Sequence, residues 1–414
     1  MSINNGWTGG QYSIFRALFG TYLLVYFSRL IPRGAELFSN RGSTTHAPAS
    51  PLINLFPNVL AVYDSPAFVT ALLLIAAASS VLLALGFYDR VAAIALCYIW
   101  ACLLGRNPLI ANPGLLYVGL LLLAHACMPR APYGSWERRK QPDPGTAWAM
   151  PQSIYIVVWI LMALGYSYIG YTRLTSLSDV GGPVIAHALP TTLARPGLIR
   201  GMALALPDSL LRLTTWSALA IELSFAPLAL IRRLRPWVWA LMLGLHFVRI
   251  ALIDFADSSL GMVMLHLFTF DPQWIKPRSA RAPEMIFYDG SCGLCHRAVR
   301  FVLAEDRSGV FRFAPLDSEA FRAAIPEADR ARLPDSIVVR TSEGKLMVRS
   351  AALLYVCERL GGVWRLVSIF ARIVPTTLKD SLYDRIAGVR YRLFAKPVEV
   401  CPIIPRDLRA RFDL

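Results

Sequence analysis

The chain has 414 residues, of which 55% are hydrophobic and only 17% are charged, and its mean hydropathy is +0.47. A soluble domain usually carries about a quarter charged residues, so this composition argues against an ordinary soluble enzyme and excludes intrinsic disorder. The charge is uneven, because the first 282 residues hold 32 charged side chains and the last 132 hold 37. We therefore predict a multi-span membrane domain followed by a soluble domain. Basic loops between spans explain the net charge of +15, and we expect no nucleic-acid partner.

Apolar runs of about 17–25 residues are long enough to span a bilayer as helices. We count about eight of them, near residues 12–31, 67–87, 90–105, 113–129, 151–171, 214–231, 236–253 and 258–274. With eight spans, the loops on the side of both termini carry most of the Lys and Arg, so both termini are expected in the cytoplasm of a bacterial inner membrane. An odd number of spans would place the C-terminal domain on the other side.

Several ionisable residues fall inside these runs, where they are costly unless they face a cavity or one another. Glu222 lies in the sixth run, and His246 and Arg249 lie one turn apart in the seventh. His125 and His266 are further examples. We predict that they line a site for a polar headgroup, a quinone or a substrate, and the alternative is an internal polar network.

The membrane half resembles a known family through scattered motifs. The segments 106–108 (RNP), 165–174 (GYSYIGYTRL) and 266–272 (HLFTFDP) are similar to the HTTM family, the membrane domain shared with vitamin K-dependent gamma-glutamyl carboxylase. The resemblance covers about residues 10–275 and implies a lysine base, but Arg173 stands at the matching place. Arginine keeps its proton in proteins, which disfavours carboxylase chemistry. Arg173 is expected to bind an anion, a quinone carbonyl or a lipid phosphate, or else to lie at the membrane interface.

The soluble half contains a Cys-x-x-Cys motif at a predicted strand-to-helix junction. Residues 284–288 (EMIFY) are typical of a buried strand, 289–291 (DGS) of a turn, and 293–305 of an amphipathic helix. The thiolate is the nucleophile in disulfide exchange, and the partial positive charge of a helix N-terminus stabilises it. We therefore predict that Cys292 is the exposed attacking cysteine and Cys295 the resolving one.

Other residues near the motif have two interpretations each. Asp289 either exchanges a proton with Cys295 or forms the turn that enters the helix. A zinc site would need ligands from isolated residues such as Cys357 or Cys401, and we predict no metal. Cys401 is either a third redox cysteine or an idle thiol. Pro334 is interpreted as a loop proline, with a cis-proline beside the motif as the alternative.

Residues 284–414 resemble the DCC family, named for its Asp-Cys-Cys signature. The segment 287–295 (FYDGSCGLC) carries the signature, and 335–339 (DSIVV), 360–362 (LGG) and 383–387 (YDRIA) also fit. The resemblance implies a thioredoxin-like α/β fold and thiol–disulfide oxidoreductase activity. Residues 1–275 are thus predicted to be the membrane domain and 276–283 a linker.

The sequence as a whole predicts a membrane-anchored thiol–disulfide oxidoreductase. Its partners would be a protein or small-molecule thiol or disulfide and membrane lipid. A quinone bound by Arg173, Glu222, His246 and Arg249 is the cofactor hypothesis. The alternatives are a transport or lipid-binding protein with a regulatory DCC domain, and a carboxylase-like membrane enzyme.

Overall fold

The computed structural model describes residues 5–42, 56–141, 143–180, 195–252, 257–393 and 406–413. The chain divides into two compact units. The helical unit consists of Ala17–Met128 and Pro151–Phe270. The mixed-sheet unit consists of Met1–Arg16, Pro129–Met150 and Asp271–Leu414. The mixed-sheet unit therefore contains two segments from the first 150 residues in addition to the C-terminal region. The predicted domain boundaries, at residue 275 for the membrane domain and residue 284 for the soluble domain, stay predictions.

Helices make up the first two thirds of the chain, and each of the eight predicted apolar runs contains one. Their N-termini follow the sequence signals, since the side chain of Ser65 accepts the N–H of Phe68 and that of Asn112 accepts the N–H of Leu115. The helices are α1 (Gly9–Leu30), α2 (Gly34–Phe38), α3 (Pro66–Leu85), α4 (Asp89–Arg106), α5 (Pro113–Ala126), α6 (Gln152–Val180), α7 (Leu198–Leu204), α8 (Asp208–Leu230), α9 (Arg235–Leu252) and α10 (Asp257–Thr269).

Not every one of these helices is long and apolar enough to cross a membrane. Within the described residues, four helical segments are long and apolar enough: Gly9–Phe38, Pro66–Leu85, Gln152–Thr175 and Asp208–Leu230. Helix α5, with 14 residues, is shorter than a hydrocarbon core of about 30 Å requires at 1.5 Å per residue. The count of eight spans therefore stays a prediction.

Close packing between α6 and α8 depends on one glycine. A Cβ on Gly170 would lie 2.7 Å from the backbone nitrogen of Leu223, so the two helices approach closely only because this side chain is absent. Small residues allow this kind of helix contact in membrane proteins. The approach places Arg173, one turn after Gly170, beside the turn of α8 that contains Glu222.

The mixed-sheet unit contains a four-stranded sheet in the order β2-β1-β3-β4. Strands β1 and β2 are parallel, whereas β1–β3 and β3–β4 are antiparallel pairs. The elements from residue 284 onward are β1 (Glu284–Tyr288), α11 (Gly293–Glu305), β2 (Phe311–Pro315), α12 (Glu319–Ala324), α13 (Glu327–Arg330), β3 (Val338–Arg340), β4 (Leu346–Val348), α14 (Arg349–Leu360), α15 (Gly362–Ala371), α16 (Thr376–Leu393) and α17 (Arg406–Arg409).

The sheet is covered on both faces. Ile286 and Tyr288 of β1 point to one face and pack in a core that includes Val299 of α11 and Val356 of α14. Phe287 points to the other face and packs edge-on against Phe321 of α12, with ring centroids 5.0 Å apart. A strand buried on both faces has the continuous apolar sequence that residues 284–288 show.

Some local features of this unit have no counterpart in the sequence patterns above. Val348 is the N-cap of α14, and Ser350 lies in the first turn, where its hydroxyl donates to Asp380. Helices α12 and α13 lie in a stretch where no pattern in the sequence predicts a helix. The peptide bond before Pro334 is trans, as expected for a loop proline.

Candidate active site

The Cys-x-x-Cys motif lies where β1 ends and α11 begins. Cys292 is the N-cap residue of α11, and its sulfur accepts a hydrogen bond from the backbone N–H of Cys295 at 3.3 Å. The carbonyl of Asp289 accepts the N–H of Cys292, also at 3.3 Å. A cysteine in this position meets the unpaired N–H groups and the positive end of the helix dipole, which favour a negatively charged sulfur.

The exposure of the two cysteines is the reverse of what the sequence suggests. The Cys292 side chain is fully buried, whereas Cys295 is half-buried. The expectation that the first cysteine of the motif is exposed is therefore wrong. Its sulfur is turned inward over the first turn of α11, since it takes the capping position.

The environment also separates the two thiols chemically. Burial raises the pKa of the Cys295 thiol, and its hydrogen bond with Cys292 and the negative charges of Cys292 and Asp289 act in the same direction. The guanidinium of Arg390 acts in the opposite direction. Cys295 thus retains its proton and donates it toward Cys292, which is the arrangement expected of a nucleophile and a resolving thiol.

Asp289 forms the turn that leads into the motif. One carboxylate oxygen accepts both the backbone N–H and the hydroxyl of Ser291 at 2.8 Å. The other oxygen lies 3.5 Å from the guanidinium of Arg390. The geometry shows the Asx turn, and the charge of Asp289 raises the pKa of Cys295, whereas the exchange of a proton between the two side chains stays a prediction.

Three residues that sequence reasoning gave no role complete the site. The buried Arg390 bonds Asp335 at 2.7 Å, and the hydroxyl of Tyr383 accepts the N–H of Ile337 at 3.0 Å. Burial raises the pKa of Tyr383. Tyr383 and Arg390 lie seven residues apart, on one face of α16. This spacing of two polar residues along a helix could have indicated from the sequence that both belong to one site.

His296 is also held beside the motif. Its Nε2 lies 2.8 Å from the carbonyl of Gly290, so this nitrogen carries the proton and donates it. The ring packs edge-on against Tyr288, with centroids 5.7 Å apart. His296 therefore fixes the loop that precedes Cys292.

The possibility of a metal site depends on a cluster of ligand side chains. The residues that the structure describes contain no group of three or more His, Cys, Asp or Glu side chains that would hold an ion. Cys357 is half-buried in α14, and burial raises the pKa of its thiol to about 11. Cys401, the candidate third redox cysteine, lies outside the described residues.

The polar residues predicted in the apolar runs form a second cluster, in the helical unit. Arg173 of α6 donates to both oxygens of Glu222 of α8, at 2.7 and 2.9 Å, and Arg249 of α9 donates to one of them at 2.7 Å. Glu222 is 1% exposed, whereas the two arginine side chains are 45% and 29% exposed. The structure thus joins three of the four predicted residues around one buried carboxylate.

The fourth residue, His246, belongs to a neighbouring group. The hydroxyl of Tyr166 lies 2.7 Å from Nε2 of His246 and 2.8 Å from Nε2 of His266. The Nδ1 atoms of both histidines are buried and have no hydrogen-bond partner. Tyr166 was missed as a site residue because an isolated tyrosine in an apolar run carries no signal of its own.

Comparison with known proteins addresses the C-terminal region. Residues 286–396 match the model of the DCC1-like thiol-disulfide oxidoreductase family. The uncharacterized protein YuxK of Bacillus subtilis (strain 168) is 30% identical over 129 residues, which cover 31% of this chain and 93% of that protein. The DCC family protein At1g52590, chloroplastic, of Arabidopsis thaliana is 30% identical over 128 residues, which cover 30% of this chain and 74% of that protein. No solved structure matches the chain significantly.

The matched region contains the cysteine motif and all of α16, the helix that contributes Arg390 and Tyr383. On the strength of these matches, the chain belongs to the DCC family, whose model describes DCC1-like thiol-disulfide oxidoreductases.

Proposed function

We propose that this protein is a membrane-anchored thiol–disulfide oxidoreductase whose redox centre is the pair Cys292 and Cys295. The observation that carries the proposal is the capping position of Cys292 at the N-terminus of α11, with the N–H of Cys295 donating to its sulfur. A Cys-x-x-Cys motif that starts the helix of a βαβ unit is typical of thioredoxin-like redox proteins, and β1, α11 and β2 form such a unit.

The reaction proceeds by two sulfur displacements. The Cys292 thiolate attacks one sulfur of a substrate disulfide, so that a mixed disulfide forms and the other substrate sulfur leaves as a thiolate and takes up a proton. The Cys295 thiol then loses its proton and attacks the Cys292 sulfur. The Cys292–Cys295 disulfide forms, the reduced substrate leaves, and two electrons have passed to the substrate. The reverse sequence oxidises a dithiol.

Asp289 is the proposed acceptor of the Cys295 proton. The raised pKa of Cys295 makes this deprotonation the costly part of the second displacement, and the Asp289 carboxylate acts on that thiol electrostatically. The guanidinium of Arg390 lies 3.5 Å from the Asp289 carboxylate and orients it beside the motif. With the domain in the cytoplasm, where thiols are kept reduced, the pair would reduce its substrate or cycle; on the opposite side it would serve as an oxidase.

The helical unit is proposed to be the membrane anchor, in agreement with the HTTM resemblance and with the four long apolar helices. Arg173, Arg249 and Glu222 together carry one net positive charge, and the buried Nδ1 atoms of His246 and His266 have no partner. These features suit a lipid-soluble molecule with an anionic or carbonyl oxygen, such as a quinone. A carboxylase-like base is not supported, since the Arg173 guanidinium is paired with Glu222.

The deciding experiment is the reduction potential of the Cys292–Cys295 pair in the full-length protein. The protein is equilibrated with glutathione or dithiothreitol buffers, and free thiols are trapped and counted. A reversible two-electron couple between about −120 and −300 mV is expected, the range of working oxidoreductases. Cys292→Ser should abolish the couple, whereas Cys357→Ser, which changes a thiol in α14, should leave it intact. Absence of a disulfide in every buffer would refute the proposal.

A further inference from the structure

Helix α16 contributes to the cysteine site with one face and exposes an apolar stripe on another. Leu378, Leu382, Ile386 and Val389 are between 39% and 61% exposed. Successive residues of an α-helix are rotated by 100° about its axis, so these four side chains fall within an arc of about 80° around α16. The turn before the helix adds Ile373, which is 80% exposed. Leucine, isoleucine and valine in an aligned, exposed row are the signature of a surface that meets another apolar phase.

The charges around this stripe have one sign. Arg385 and Arg392 flank it on one side and Lys379 on the other, by the same helical spacing. The acidic residues of α16 point elsewhere, because Asp380 accepts from Ser350 and Asp384 pairs with Arg349 at 3.2 Å. An apolar stripe bordered by Lys and Arg is what a helix lying in a membrane interface presents, with its basic side chains near anionic headgroups.

We infer that α16 docks on the surface of an anionic lipid bilayer, with Leu378, Leu382 and Ile386 inserted at the headgroup boundary. This inference rests on the proposed membrane anchoring, which keeps the mixed-sheet unit close to a bilayer. Charge complementarity selects lipid as the occupant, since the borders of the stripe are basic and its acidic neighbours are engaged within the unit.

The docking has a consequence for the substrate. A second face of α16, about 80–100° around the helix from the stripe, contributes Tyr383 and Arg390 to the cysteine site. A docked helix therefore brings the Cys292–Cys295 pair close to the headgroup layer, at a distance on the order of one helix diameter, about 10–12 Å. Thiols and disulfides at the membrane surface would then be preferred to those free in solution. The favoured substrate class is a membrane-bound disulfide or dithiol.

The test places the photoreactive residue p-benzoylphenylalanine at position 382 of the full-length protein, reconstituted in vesicles of phosphatidylglycerol and phosphatidylcholine. The matched control carries it at position 384, which is exposed on the same helix but lies off the stripe. Irradiation should yield a lipid adduct at 382 and little at 384. Arg385→Gln, which removes one positive charge, should reduce the adduct about fivefold, and vesicles of pure phosphatidylcholine should reduce it at least as much.

Adducts between two copies of the chain, adducts with the chain's own residues 394–405, or equal labelling at 382 and 384 would each overturn the inference. Carbonate extraction of the same vesicles separates this result from the proposed anchoring. A protein that resists extraction but gives no lipid adduct is anchored without docking of α16. A protein that is extracted refutes the anchoring itself. An unchanged Cys292–Cys295 potential shows that the labelled variants are folded.

Discussion

Two buried carboxylates, Glu222 in the helical unit and Glu305 in the mixed-sheet unit, are stabilised in different ways. Glu222 in the helical unit is held by the guanidinium groups of Arg173 and Arg249. Glu305, the last residue of α11, accepts hydrogen bonds from neutral donors: the hydroxyl of Thr8, the N–H of Gly10 at 2.7 Å and the indole N–H of Trp364 at 2.6 Å. Positive charges thus compensate the Glu222 carboxylate directly, whereas uncharged donors contact the Glu305 carboxylate.

The comparison indicates different tasks for the two carboxylates. Glu222 belongs to an ion cluster, and burying a charge is costly unless a counter-charge accompanies it. Glu305 joins the last turn of α11 to the first turn of α1, because it accepts the N–H of Gly10. The difference is one between sites and not between units, since the mixed-sheet unit also contains a buried carboxylate, Glu284, that pairs with Arg359 at 2.7 Å.

The largest effect on stability is expected when both arginines that pair with Glu222 are replaced. The double variant Arg173→Met, Arg249→Met leaves the buried carboxylate without a counter-charge, which should cost about 3–5 kcal/mol of stability. Arg173→Met alone should cost less, because Arg249 remains 2.7 Å from the carboxylate. Thermal unfolding of the full-length protein in detergent, followed by tryptophan fluorescence, measures the loss. Adding Glu222→Leu to the double variant should restore much of it, and a double variant as stable as the wild type would contradict the ion-cluster description.

A pH-dependent effect is expected from Glu305. Burial raises its pKa from the ordinary 4.5, although its three hydrogen bonds and the charge of Arg307 act against the shift. The folded state therefore binds the proton more tightly than the unfolded state, so this contribution to stability is full below pH 4.5 and is lost as the pH rises through the folded pKa.

The measurement for Glu305 is the unfolding temperature between pH 4 and pH 7. The wild type should lose stability over this interval relative to Glu305→Gln, which retains a side-chain oxygen as acceptor but does not titrate. Parallel curves for the two proteins would show that Glu305 has the same pKa in the folded and unfolded states.

A moderate effect is expected from Asp289, and it separates the two roles of that residue. Asp289→Asn keeps the side-chain oxygen that accepts from Ser291 but removes the charge that raises the pKa of Cys295. Alkylation of Cys295 at a fixed pH below its pKa should accelerate, by up to about tenfold for each unit by which the pKa falls. Mass spectrometry of the peptide containing Cys295 gives the rate.

Asp289→Ala serves as the comparison for the Asx turn. It removes both the charge and the hydrogen bonds to Ser291, so it should speed alkylation as Asn does and also lower stability by about 1 kcal/mol. If Asn leaves the alkylation rate of Cys295 unchanged, the function of Asp289 is confined to the turn.

The smallest effect is expected from Tyr383→Phe. The variant removes the hydroxyl that accepts the N–H of Ile337, just before β3, and should lower stability by about 1 kcal/mol. Ser381→Ala, an exposed position of the same helix, is the control and should unfold at the wild-type temperature. A Tyr383→Phe protein as stable as this control would show that the bond is not needed to hold α16 against β3.

Short-range sequence patterns were sufficient to predict the bounds of β1 and α11 in the mixed-sheet unit. The bounds of β1 and α11 agree with the predicted 284–288 and 293–305, because a buried strand, an Asp-Gly turn and an amphipathic helix each have a short-range signature. The CxxC motif lies within four residues, so its position followed from the same signals. Helices α12 and α13, at 6 and 4 residues, are too short to show a period and were missed.

The amino-acid sequence by itself determined the division into an apolar and a charged part, the helical runs, and the motif that starts α11. Tertiary structure alone decided that Cys292 is buried, that Tyr383 and Arg390 reach the motif from α16, and that Arg173, Glu222 and Arg249 meet. Burial and long-range ion pairs depend on how the helices pack against one another. The spacing of apolar residues shows which side of a helix is buried, but it does not show which residues of another helix contact that side.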